Sequence, residues 1–198
     1  MRKLVVFAVC TKKVNKEIAV FGTGCFWCSE ALFSRLKGVI TAVPGFAGGT
    51  VENPSTERVH QGDTQHAEVV RIEFDTSLIP YTVLLDVFFH IHDPTSLNKQ
   101  DYDVGNQYRS IILYTNNAQK NTAQNMLEKL NKTEFSGRIV TEIVSLRKFY
   151  EAESYHKQYY AKNFYQPYCQ IIISPKIAKL SKKYLHLYRE NKRSDKAI

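Results

Sequence analysis

Cys25 and Cys28 stand in a C-x-x-C spacing inside the stretch GTGCFWCSEALF, with Phe26 and Trp27 between them. A thiol can be a nucleophile, a metal ligand, a redox centre or a small core residue, and its surroundings decide which. The residues ahead of it, KEIAVFG, read as a short buried strand ended by glycine. Behind it, Cys28, Leu32 and Leu36 recur every four residues, the face of a helix that stops near Gly38. A helix start carries unpaired N–H groups and a partial positive charge, which favour thiolate over thiol and lower a cysteine pKa. Gly22 and Gly24 permit a tight turn that exposes the Cys25 sulfur, and Phe26 and Trp27 form an apolar wall beside it. The plainer alternative is a buried cysteine among core aromatics. The glycines, the helix start and the second thiol three residues on favour chemistry.

A zinc site would need two further ligands near the pair. Cys10 and Cys169 are isolated, and the six histidines show no ligand spacing. His90 and His92 sit in an apolar run, LLDVFFHIH, and read as helix packing. The expectation is no metal.

C-x-x-C alone leaves two readings, a general disulfide oxidoreductase or a thiol reductant of another substrate. A second group bears on the choice. In HAEVVRIEFD, Glu68 shares a pleat face with Val70, Ile72 and Phe74. A carboxyl on an apolar face is costly unless neutral or paired, and burial raises its pKa, which makes a proton donor near neutral pH. Alternatively, Glu68 sits at the strand's first turn and reaches water.

The elements that must position these groups alternate. HAEVVRIEFD, YRSIILYT and IVTEIVSL read as strands. YTVLLDVFFHIH, NAQKNTAQNMLEKLNK and YEAESYHKQYYAKN read as helices, and CQIIIS as a final short strand. VPGFAGGTVENPSTERVHQGDTQ and DPTSLNKQDYDVGNQ read as long irregular loops, a length usually reserved for function. The expected fold is an α/β (α+β) two-layer sandwich, a mixed central sheet with flanking helices and a ferredoxin-like core. Residues 1–15 read as an N-terminal extension, 16–180 as the domain and 181–198 as a basic tail.

Composition narrows the class. The 198 residues suit one domain, and 43% hydrophobic and 23% charged residues are ordinary globular usage. No apolar run reaches membrane-span length. The start, MRKLVVFAVC, has a shorter apolar stretch than a signal peptide, which points to the cytoplasm, with an exported form as the alternative. Of a net charge of +8, most comes from the segment Lys176–Ile198, with eight Lys or Arg against two acids. Such a tail could touch nucleic acid or a membrane, but no base-reading chemistry accompanies it, and a solvated end explains it as well.

Several ordered motifs carry a resemblance: GCFWCSE, GFAGG, NP, GDTQHAEVV, HDPTSLN, DVGNQYRS, TEI, YHKQYY and QPYCQ. Together they resemble the peptide methionine sulfoxide reductase A family, from Glu17 to Leu180. The resemblance implies an α/β sandwich that uses no metal or cofactor and reduces the S-epimer of methionine sulfoxide, free or in proteins. It maps the nucleophile to Cys25, the pocket for the substrate methyl to Phe26 and Trp27, the acid to Glu68, and a polar pair to Asp103 and Tyr108. It also implies a Cys25 sulfenic acid, an intramolecular disulfide and recycling by an external dithiol such as thioredoxin. A monomer is expected.

The chain departs from the family pattern at three places. Thr56 stands where a tyrosine usually helps hold the sulfoxide oxygen, Phe46 stands in place of a common tyrosine, and His60 replaces a frequent cysteine. Many family members carry the second, resolving thiol in a C-terminal tail, and Ser174–Ile198 has none. Cys28, one helical turn from Cys25, is the first choice as resolving thiol, with Cys169 next and Cys10 last.

Overall fold

The computed structural model describes residues 14–189, so Cys10 lies outside the described residues. The elements run in the order β1 (Lys16–Thr23), α1 (Phe26–Phe33), β2 (Val39–Ala47), α2 (Thr56–His60), β3 (Ala67–Asp75), α3 (Tyr81–Ile91), β4 (Lys99–Gln100), β5 (Asp103–Val104), β6 (Ser110–Tyr114), α4 (Asn117–Thr133), β7 (Glu142–Ser145), β8 (Phe149–Glu151), α5 (Tyr159–Lys162) and α6 (Ser174–Lys183). Among the described residues they form a six-stranded sheet, β7-β6-β1-β3-β2-β8, and a small β4–β5 hairpin. The β6–β7 pair is parallel and the other pairs of the large sheet are antiparallel. The central order β6-β1-β3-β2, with α1 after β1 and α3 after β3, is the split βαβ of a ferredoxin-like core.

Strand alternation explains why the helices lie where they do. Ala19, Phe21, Val70, Ile72, Phe74 and Ile112 point to one face, where they are sealed by Leu32, Phe33 and Leu36 of α1, Leu84, Leu85, Phe88 and Phe89 of α3, and Ala123 and Leu130 of α4. Val20, Ala47, Val69, Ile111 and Leu113 point to the other face, packed by Leu146 and Phe149. Helix α1 touches the sheet so closely that every residue except Trp27 is buried.

Several expectations need correction. The stretch Val39–Ala47 is a strand, though Pro44 and Gly45 made it read partly as loop. Pro44 is tolerated because the β2–β8 pairing covers Gly45–Ala47, while the Pro44 carbonyl still accepts the Ala152 N–H at 3.0 Å. The single helix expected over 150–163 is broken into β8, a 3-10 turn at Ser154–His156 and the one-turn α5. Gln158 adopts φ 55°, and its N–H is captured by the buried Glu30 carboxylate at 2.8 Å. CQIIIS is not a strand: Cys169–Ile173 is a π-helical stretch that runs straight into α6. Its apolar positions read as β from composition, but Ile173 and Leu180 bury on a helix face.

The expected division at residue 181 falls inside α6. Past it, Tyr184 is buried, the Leu187 carbonyl accepts the Lys37 N–H at 2.7 Å, and the Arg189 N–H reaches the Arg35 carbonyl at 3.0 Å. No helix among the described residues is long and apolar enough to cross a membrane.

Candidate active site

Strand β1 delivers the chain to the site through Gly24. Its φ of +87° is left-handed, and a Cβ there would lie 2.6 Å from the Gln100 side chain, so glycine is required. Gly22 works differently. It lies within β1, where a Cβ would press to 2.7 Å from Ile111, so it serves close packing and not the turn.

Cys25 is the N-cap of α1, and its carbonyl accepts the N–H groups of Cys28 at 3.1 Å and Ser29 at 3.4 Å. Its side chain makes no capping bond, which leaves the sulfur to its neighbours. These are the Cys28 thiol and the Tyr168 hydroxyl. The expected lowering of the Cys25 pKa is not found. Cys25 is only 7% exposed, and burial pushes its thiol well up, with Cys28 and the nearby Glu68 adding to the rise. A helix start of one turn cannot outweigh loss of water and a neighbouring carboxyl. The Cys28 thiol is pulled down, chiefly by the hydrogen bond from Cys25 and against its own burial. Thiolate character therefore belongs to the pair. Cys169 packs in the same cluster, fully buried, and burial together with Cys28 pushes its thiol up.

Glu68 is 3% exposed at the start of β3, so it does not reach water. Its Oε2 accepts the Phe26 N–H at 3.0 Å, one of the orphan donors of α1. Its Oε1 lies 2.9 Å from His60 Nε2, at the end of α2. Burial raises the Glu68 pKa, while His60 and the Phe26 N–H pull it back. The result is a carboxyl held at the thiol end of α1, able to keep a proton above the usual carboxylate range.

The wall is built differently from expectation. The Phe26 ring is 1% exposed, locked against Phe46 at 5.6 Å and His156 at 4.9 Å, and supports the site from behind. The face beside the thiols is Trp27, stacked on Tyr159 at 3.6 Å and met edge-on by Tyr168 at 5.8 Å. A hydrogen-bonded chain fixes the indole: Trp27 Nε1–H donates to His156 Nδ1 at 3.0 Å, and His156 Nε2 lies 2.9 Å from Thr56 Oγ1. Thr56 Oγ1 also donates to Glu153 Oε2 at 2.6 Å. Because Nδ1 accepts from the indole, neutral His156 carries its proton on Nε2 and donates it to Thr56. Thr56 thus spends its hydroxyl on Glu153 and His156, and through His156 it holds Trp27.

Asp103 and Tyr108 both come to this site. Asp103 Oδ2 accepts the Tyr168 hydroxyl at 2.8 Å, and burial raises its pKa. Tyr108 ends a 3-10 turn before β6 with its ring 6.2 Å from that of His60, and burial, Glu68 and Asp103 push its hydroxyl pKa up. The loop carrying His60 is pinned by Arg109, which donates to the Gln65 carbonyl at 3.1 Å and to Glu142 at 3.2 Å. Among the described residues, no group of three His, Cys, Asp or Glu is placed to hold a metal ion.

Sequence reasoning passed over Tyr168, Tyr159, His156 and the partnership of His60 with Glu68. Tyr168 stood next to a cysteine and His156 within an aromatic cluster, which is signal of a kind. Neither signal gives a distance to residues over a hundred positions away.

Fold and site together define a cysteine-based oxidoreductase. The profile of the Peptide methionine sulfoxide reductase family matches residues 17–188, and the chain belongs to that family. It is 51% identical over 166 residues to the peptide methionine sulfoxide reductase MsrA of Saccharolobus solfataricus, covering 84% of this chain and 93% of that protein. It is 49% identical over 172 residues to the MsrA of Acinetobacter baumannii strain SDF, covering 87% and 98%. Methionine sulfoxide reductase A of Corynebacterium diphtheriae superposes with a TM-score of 0.73 at 33% identity, covering 77% of this chain and 78% of that one. Reduced Mxr1 from Saccharomyces cerevisiae gives 0.72 at 30% identity, covering 81% and 94%.

Proposed function

We propose that the Cys25 sulfur attacks the sulfur of a methionine S-sulfoxide whose methyl group lies against Trp27, with Phe26 behind it. The observation that carries this reading is one contact set: Cys25 caps α1, and the N–H of the next residue holds the carboxyl of Glu68. A nucleophile and a proton donor are thereby fixed at the same helix start. Glu68 protonates the sulfoxide oxygen, and the Tyr108 hydroxyl hydrogen-bonds it, while Asp103 holds the Tyr168 hydroxyl against Cys25. The sulfoxide oxygen passes to Cys25, which becomes a sulfenic acid, and the thioether leaves as methionine. Cys28, hydrogen-bonded to Cys25, condenses with the sulfenic acid to release water and close a disulfide. An external dithiol of the thioredoxin kind takes up that oxidation by thiol–disulfide exchange. The reducing compartment this requires fits the cytoplasm, and the protein acts as a monomer.

Stereochemistry and reductant test the reading together. Given separate S and R epimers of a peptide methionine sulfoxide and a dithiol, the protein should turn over S and leave R. Equal use of both would remove the stereospecificity from the reading, and disulfide reduction without sulfoxide turnover would replace it by a general disulfide oxidoreductase.

A further inference from the structure

His60 is not part of the thiol chemistry, yet it is the side chain bonded to Glu68. Its Nε2 lies 2.9 Å from Glu68 Oε1, and its side chain is 44% exposed against 3% for Glu68. A buried carboxyl has no route to bulk water of its own. The other Glu68 oxygen is taken up on one side by the Phe26 N–H. A carboxylate oxygen has two lone pairs, so Oε2 keeps one direction for substrate while Oε1 faces the imidazole. The two oxygens thus have different partners, the Phe26 N–H at the start of α1 and the partly exposed His60.

We propose that His60 is a proton relay for this site, passing a proton from solvent through Nε2 to Oε1 of Glu68 as Glu68 gives its own to the sulfoxide oxygen. This rests on Glu68 being the acid. The step moves protons only: Glu68 loses one to the oxygen, neutral His60 passes its Nε2–H to Oε1, and its Nδ1 takes up one from water in exchange. The surroundings favour a proton on this ring. Glu68 on β3, Asp103 on β5 and Glu153 before the 3-10 turn are acidic, Tyr108 lies beside the ring, and His156 opposes weakly. The hydrogen bond to Glu68 raises the His60 pKa, against partial desolvation. Proton and acid therefore form a shared pair whose last proton survives to higher pH than on an ordinary histidine. Thr56 does not compete for this task, since its hydroxyl is bound to Glu153 and His156.

The test is methionine release in a single turnover without reductant, at pH 6 and pH 8. His60→Ala should slow release about tenfold at pH 8, the low end of general acid–base effects, and less at pH 6. Added imidazole should restore the His60→Ala rate and leave the wild type unchanged. His60→Gln separates transport from positioning, because an amide can hold Glu68 but cannot carry a proton. It should be as slow as His60→Ala, and a wild-type rate would overturn the relay. Loss that is equal at both pH values and deaf to imidazole would overturn it too. Glu68→Gln distinguishes the underlying reading. If it alone is slow while both His60 variants are normal, only the relay fails; if it is not slow, the acid assignment itself fails. In the Glu68→Gln background, His60→Ala should cost nothing more.

Discussion

The two sides of the α1 start differ in chemistry. On one side lie Cys25, Cys28, Cys169, Tyr160 and Ile173, a dry cluster of sulfur and apolar groups. On the other lie two hydrogen-bonded groups, Glu68 with the partly exposed His60, and Thr56 with Glu153 and His156. In the proposed reaction, electrons and protons are handled on opposite flanks of a single helix start. Dryness raises the Cys25 thiol, while in the proposed relay the wet flank keeps the acid supplied.

Substitutions can break that division, and the largest effect belongs to the sulfur. Cys25→Ser should abolish sulfoxide reduction while thermal unfolding stays close to wild type, because a hydroxyl fits the same cap. Substantial methionine formation by this variant would place the nucleophile elsewhere.

Glu68→Gln should lower the single-turnover rate about a hundredfold, the scale of a lost general acid. Burial raises the Glu68 pKa, so the acid form persists above the usual carboxylate range and the wild-type rate falls as pH rises through that raised value. The variant should lack this fall. A retained alkaline limb would show that another group, such as the Tyr108 hydroxyl, provides the proton.

Cys28→Ser sharpens the sulfur flank. A single equivalent of methionine should still form, whereas steady turnover with thioredoxin should drop at least tenfold. Peptide mapping of the wild type after one turnover without reductant should show Cys25 joined to Cys28. A Cys25–Cys169 disulfide would instead make Cys169, packed in the same cluster, the resolving thiol.

The smallest effect is on the support of Trp27. Thr56→Val removes the hydroxyl between Glu153 and His156, about 1–2 kcal/mol of hydrogen bonding. It should raise the KM for peptide sulfoxide a few-fold with kcat nearly unchanged, because the indole loses its second anchor but keeps the Tyr159 stack. An equal fall in kcat would mean that Thr56 touches the reacting atoms.

The sequence alone determined the parts that depend on local order. Gly24, Cys25 and the helical spacing after it had to place a thiol at a helix start, because turn and helix geometry are set within a few residues. The alternation in Glu68–Phe74 had to turn Glu68 toward the apolar face, since a strand has period two. Tertiary structure decided whatever depends on approach between distant segments. It showed that Cys25 is buried and its thiol raised, which no local signal reports, because desolvation depends on Tyr168 and Cys169 arriving from the far end of the chain. It turned Phe26 into a buttress and left Trp27 as the wall. It spent the Thr56 hydroxyl on His156, a hundred residues away, and set His60 against Glu68 across a turn whose path is held by Arg109. It also made a helix of Cys169–Ile173. Apolar composition there fitted strand and helix equally, and only packing against α1 could choose between them.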